Sequence, residues 1–208
     1  MKDEYYENCS HTSPIPQSFR SLPCEKDFCL NKQQCLSFAF KHHEYDYEVF
    51  NLFFRFIQSE NAATKMSEKY VTYYAKYLLK IAHFNLNKYK HSSYALYQYT
   101  QALCFLGSLQ LRHSLLFLNT CYTNLLKLLS CITDVEFICT IRIELGQCLF
   151  YLGQLYHDTQ QNYFEAAITQ FETTLKLKPT QHALNWIEYI RSYKEFELDI
   201  ESEVNQQL

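Results

Sequence analysis

The sequence predicts an all-α fold of antiparallel helical hairpins, about seven helices in a domain of this length. Three observations carry that expectation. The 208 residues include only 3 glycines and 4 prolines, and a sheet protein needs many more turn residues than that. Pro14, Pro16 and Pro23 lie near the N-terminus, so no proline interrupts the chain from Cys24 to Lys178. The glycines each follow a leucine, at Leu106-Gly107, Leu145-Gly146 and Leu152-Gly153. Glycine inside a helix costs about 1 kcal/mol relative to alanine, so glycines kept inside apolar helical patterns point to close helix contacts.

Residues 1–30 are polar, hold three prolines and show no period, which predicts a flexible arm. A short helix is expected near 31–41. Cys9, Cys24, Cys29 and Cys35, followed by His42 and His43, are zinc-ligand types. Their spacing lacks the two-residue knuckle of most structural sites, so unliganded thiols are the expectation and no cofactor is assigned. Residues 44–59 place Val49, Leu52, Phe53 and Phe56 in one stripe at helical spacing. Ser59 to Asn61 break it. Residues 62–86 read as a long helix with Tyr70, Tyr73, Tyr74, Tyr77, Leu78 and Ile81 inward. Asn85 to His91 are polar. The next helix covers 92–111, with Ser92 or Ser93 as cap and Ala95, Tyr99, Ala102, Leu106 and Leu109 near one face. A helix over 114–131 follows. Asp134 is placed to cap another over 135–157, in which Gly146 and Gly153, seven apart, face one side. Helices over 162–177 and 181–199 complete the domain, which spans 31–200. The last has an apolar stripe of Trp186, Ile187, Ile190 and Tyr193 and a charged outer face, as expected of a helix that closes a stack against water. Residues 201–208 read as a frayed tail.

The stretch from Leu149 to Pro179 has a fixed order of landmarks. Leu149 stands three before Leu152-Gly153, and Tyr156 follows. Ala167 and Phe171 come next, four apart, then Thr174 and Pro179. This order resembles one tetratricopeptide repeat (TPR), a helix-turn-helix unit that stacks into a solenoid. Leu149 stands where the family usually has Trp, and Thr174 where it prefers Ala. The turn HDTQQN is longer than the unit of about 34 residues allows. Gly153, lacking a Cβ, admits the second helix to the first, with Ala167 as small partner and Phe171 filling the space beside them. Pro179, lacking an amide donor, ends the second helix. The resemblance covers about thirty residues. Leu106 and Leu152 are 46 apart, longer than a standard unit, so irregular repeats and a non-repeat helical domain are both compatible with the sequence.

The resemblance implies a non-enzymatic scaffold or adaptor, a subunit of a multiprotein complex, that takes a peptide or helix of another protein in a groove of a short TPR-like solenoid. The load of 18 tyrosines and 16 phenylalanines fits a chain that stays in a permanent complex. No Gly-rich phosphate loop, Ser-centred nucleophile elbow or paired-His metalloprotease helix is present, so an enzyme is not expected.

Charge narrows the alternatives. The formal net charge is −3, which is not that of a nucleic-acid-binding domain. A local exception runs over Lys65, Lys69, Lys76, Lys80, Lys88 and Lys90, interleaved with tyrosines. Lys69, Lys76, Lys80, Tyr73 and Tyr77 are therefore candidate partner-binding residues, and an RNA-binding module is the alternative function, because lysine and aromatic rings together hold backbone and bases. The plainer reading turns the tyrosines inward and the lysines to water. A second, acidic patch contains Glu188, Glu195, Glu197, Asp199, Glu201 and Glu203; it reads as a solvated cap or as a dock for a basic partner. No apolar run is long enough to span a bilayer, and MKDEYYENCS lacks an apolar signal core. Cys104, Cys121, Cys131, Cys139 and Cys148 fall on apolar helical faces and are expected as reduced core residues. Together these features predict an intracellular protein, cytoplasmic or nuclear, with no membrane partner.

Overall fold

The computed structural model describes Phe50, Asn51, Phe54, residues 68–110, 112–156 and 159–207. The predicted N-terminal arm, the helix near 31–41 and the cysteines Cys9, Cys24, Cys29 and Cys35 lie outside the described residues. Six helices are found among the described residues, and no strand: α1 Glu68–Lys88, α2 Ser93–Ser108, α3 Ser114–Cys131, α4 Val135–Leu155, α5 Gln160–Leu177 and α6 Gln181–Gln207. Helix α6 continues to Gln207, beyond the residue-199 boundary expected from the sequence. The described residues divide between Ala95 and Leu96 into two compact units.

In the first unit, Phe50 and Phe54 are helical and their rings stack at 5.8 Å. Helix α1 buries Val71, Ala75, Tyr77, Leu78, Ile81 and Ala82. These recur at three- and four-residue intervals, the period of one helix face. Ser92 Oγ accepts from the Ala95 amide at 3.2 Å, capping α2.

Part of the second unit recurs at a spacing of 46 residues. Helix α5 begins 46 positions after α3 (Ser114 to Gln160) and ends 46 positions after it (Cys131 to Leu177). Helix α6 likewise begins 46 positions after α4 (Val135 to Gln181). The core follows the same count. Leu106, Leu118, Cys121, Leu125 and Leu128 are buried in one hairpin, and Leu152, Phe164, Ala167, Phe171 and Thr174 are buried at the matching positions of the next. The caps match too. Asp134 accepts from the Phe137 amide at 2.7 Å, and Thr180 accepts from the Ala183 amide at 3.2 Å. Over Leu106–Cys131 and Leu152–Leu177, residues with different chemistry therefore occupy matching buried positions, whereas α4 and α6 end 52 positions apart and their buried sets differ. The period exceeds the roughly 34 residues of a standard TPR unit and lies in the range of about 40–47 for longer helical repeats.

The glycines set the hairpin spacing. A Cβ at Gly107 would lie 2.6 Å from Leu118 Cδ2, and one at Gly153 would lie 2.6 Å from Phe164 Cε1. Both contacts reach eleven residues ahead, across the turn. The partner of Gly153 thus differs from the sequence expectation. Phe171 sits instead against Gly146, one helical heptad earlier, where a Cβ would meet its Cζ at 2.6 Å. Antiparallel pairing explains the difference: as the chain moves up α5 it passes back down α4. Pro179 follows Lys178, whose amide reaches the Thr174 carbonyl at 2.8 Å and closes α5.

Candidate interaction surface

Helix α6 is held from one side. Ala183, Ile187 and Ile190 are buried, and Arg191 and Lys194 form ion pairs with Glu172 and Glu165 of α5. The next stripe around the helix is aromatic. Trp186, Tyr189 and Tyr193 surround Phe150 of α4, each with ring centroids within 5.7 Å of it. Trp186 also stacks on Phe171 at 5.9 Å with the planes 6° apart. Phe150 is 1% exposed and stacks on Phe164 at 5.4 Å. These rings form one cluster from the hairpin core to the surface of α6, and such pairs add roughly 0.5–1.5 kcal/mol each beyond area burial.

At the surface the cluster opens into an apolar depression of about 330 Å³ lined by His182, Asn185, Trp186 and Tyr189. His182 is positioned by Gln147 of α4 at 3.3 Å. Tyr189 is 51% exposed and Phe196, two turns on, is 64% exposed. The outer face of α6 is therefore not uniformly charged, as its sequence had led us to expect. Charged Glu188 and Glu195 are exposed on one flank of it, and Tyr189 and Phe196 are exposed on the other.

A second cluster lies inside the unit. Cys104, Cys121 and Cys148 are free thiols and buried. Burial, and then hydrogen bonding to Cys104 and Cys148, pushes the Cys121 thiol well above the ordinary range. Hydrogen bonding from Cys104, then Cys121, pulls the Cys148 thiol below the ordinary range. In the neutral cluster it donates to the Leu118 carbonyl at 3.3 Å. Gln101 Nε2 donates to Glu144 Oε1 at 3.2 Å and to the Tyr97 hydroxyl at 3.0 Å. Burial first, then the neighbouring Cys104, pushes the Glu144 carboxyl up to about 8 against the hydrogen bonds from Gln101 and Tyr97. A perturbed carboxyl beside thiols is an active-site signature only where a substrate can reach it, and the three cysteines are no more than 4% exposed. Cys139 is buried as expected, but Cys131, at the end of α3, is exposed. Among the described residues no group of three His, Cys, Asp or Glu side chains is arranged to hold a metal ion.

The residues singled out in the sequence separate into two kinds. Leu149, Leu152, Gly153, Ala167 and Phe171 are buried between α4 and α5 and pack the hairpin. Tyr156 stacks on Tyr163 at 5.5 Å across the turn. Of the lysine–tyrosine set on α1, Lys76 and Lys80 are exposed and Tyr77 is 5% exposed. Tyr77 is therefore turned inward, while at the end of the set the Lys88 ammonium stands 5.0 Å over the ring of half-buried Tyr89. Lys69 and Tyr73 lie on α1, with side chains outside the described residues. The aromatic depression was not singled out as a site. Its signal was present in the sequence as His182, Asn185, Trp186, Tyr189, Tyr193 and Phe196 at helical spacing, but the same spacing also describes a core stripe. No protein-family model, curated protein or solved structure matches the chain.

Proposed function

We propose that this chain is a non-enzymatic interaction scaffold, a subunit of a multiprotein complex, and that it holds a peptide or helix of a partner protein against the aromatic face of α6. On this reading the hairpins α2–α3 and α4–α5 and the helix α6 stack as a short TPR-like solenoid with lengthened units. The observation that carries the proposal is the pairing of the depression at His182, Asn185, Trp186 and Tyr189 with exposed Tyr189 and Phe196. Large aromatic side chains are among the residues that most often anchor an interface. Tyr189 and Trp186 are here pre-positioned by Phe150 and Phe171, so binding there would order few side chains. No membrane partner is proposed, and among the described residues no helix is long and apolar enough to cross a membrane.

The test compares the tagged chain with a Tyr189→Ser/Phe196→Ser variant as bait in native extract, at moderate and high salt and with nuclease. A near-stoichiometric protein retained by the wild type at high salt and lost by the variant is the expected result. Retention by both baits would move the interface elsewhere. Species lost with salt and nuclease, dependent on Lys76 and Lys80, would replace this reading with the RNA-binding one.

A further inference from the structure

The 46-residue period assigns every exposed position of α6 a counterpart in α4. On α4, Arg142 reaches Gln170 of α5 at 2.7 Å, Gly146 receives Phe171, and Leu149 and Phe150 are buried. The same positions on α6 are Glu188, Ser192, Glu195 and Phe196, and all four are exposed. The position of Phe150, 1% exposed, is thus taken by Phe196, 64% exposed. On α4, α5 meets Arg142 and Gly146, and Phe164 of α5 covers Phe150 together with Trp186, Tyr189 and Tyr193 of α6; among the described residues no helix stands in the place of α5 on α6. We infer that this strip of α6 is the seat of a basic amphipathic helix from a partner protein, lying antiparallel to α6 as α5 lies against α4. The inference rests on the scaffold reading above and narrows it to one partner chemistry.

Charge decides the occupant. The helix carries Glu188, Glu195, Glu197, Asp199, Glu201 and Glu203 against Arg191 and Lys194, and those two cations are already engaged by Glu172 and Glu165 of α5. Where α4 presents Arg142 to its partner helix, α6 presents Glu188. An incoming helix needs lysine or arginine at that point and an apolar side chain to meet Phe196 and the small Ser192. A second copy of α6 is disfavoured, because antiparallel self-pairing would oppose two strongly acidic helices, and like charges brought together across an interface are repulsive.

The probe is a fluorescein-labelled synthetic peptide of the α5 segment, residues 160–177, with Glu165→Lys, Gln170→Lys and Glu172→Lys. The full chain is titrated into it and anisotropy is read. Binding is expected, weakening with salt, and falling about ten-fold or more for a Glu188→Lys/Glu195→Lys chain, as reversal of complementary charges requires. Both substituted residues are exposed, and circular dichroism verifies that this chain folds. Equal binding of the unmodified peptide, equal binding to the charge-reversed chain, or no binding would each overturn the inference. So would a concentration-dependent dimer in sedimentation that competes with the peptide. If the peptide fails while partner capture still depends on Tyr189 and Phe196, the seat is wrong and the scaffold reading stands; if both fail, the scaffold reading falls with it.

Discussion

Gly153 and Phe164 meet so closely that the hairpin turn depends on a missing atom. A Cβ at Gly153 would stand 2.6 Å from Phe164 Cε1 and 3.2 Å from Tyr163 Cβ. Phe164 is fully buried and cannot swing away freely. Replacing Gly153 by alanine gains about 1 kcal/mol of helix propensity but overpacks the core, which typically costs about 1–3 kcal/mol. A net loss is expected for Gly153→Ala in urea unfolding, and a much larger one for Gly153→Leu; an unchanged melting temperature in the leucine variant would refute the contact. The opposite sign is expected at Gln110. It follows α2 with φ of 53°, the left-handed region that non-glycine residues rarely adopt. Gln110→Gly removes a strain of roughly 1–2 kcal/mol at the cost of chain entropy, so a gain of about 0.5–1 kcal/mol is expected in the same measurement. The glycine contact was legible in the sequence as Leu152-Gly153, although the assignment of Phe171 to it was not. Only the antiparallel register, which a linear pattern does not contain, sends Phe171 to Gly146.

At the scale of helices, starts and stops were the most legible features because their causes are local. Asp134 as the cap of α4 and Pro179 as the terminator after α5 act through neighbouring backbone, so residues a few places away suffice to identify them. The 46-residue spacing was also visible, in Leu106-Gly107 and Leu152-Gly153. It did not read as a repeat because the repeated positions hold different side chains: Cys121 answers Ala167, and Leu128 answers Thr174. What recurs is burial, and that becomes visible only when the helices are packed. Asp134→Ala removes the acceptor for the Phe137 amide, and a loss of about 1 kcal/mol is expected in chemical denaturation. Thr180→Ala, at the matching start of α6, is expected to cost less, since its bond of 3.2 Å is longer than the 2.7 Å bond of Asp134. Equal costs would mean that the two starts are held by something other than their caps.

For the molecule as a whole, the least legible features are those that combine helices distant in sequence, and both clusters of the second unit are of that kind. The aromatic depression needs Phe150 of α4 and Phe171 of α5 beneath α6. The Glu144 environment joins α2 to α4 through Tyr97 and Gln101. That second cluster makes a whole-molecule prediction through pH. Burial, then Cys104, raises the Glu144 carboxyl from the usual 4.5 to about 8. Between those values the folded chain holds a proton that the unfolded chain has released. Stability contributed at this site is therefore complete below about pH 4.5, declines as pH rises, and is lost by about pH 8. Glu144→Gln keeps an acceptor for Gln101 and Tyr97 without the titration. The variant should match the wild type near pH 5 and exceed it at pH 8 by on the order of 1 kcal/mol, a figure reduced from the full shift because the residue is partly exposed. Urea unfolding at the two pH values measures the difference. A constant offset between the chains would show that Glu144 does not titrate in this window, and that water, not the surrounding helices, solvates its carboxylate.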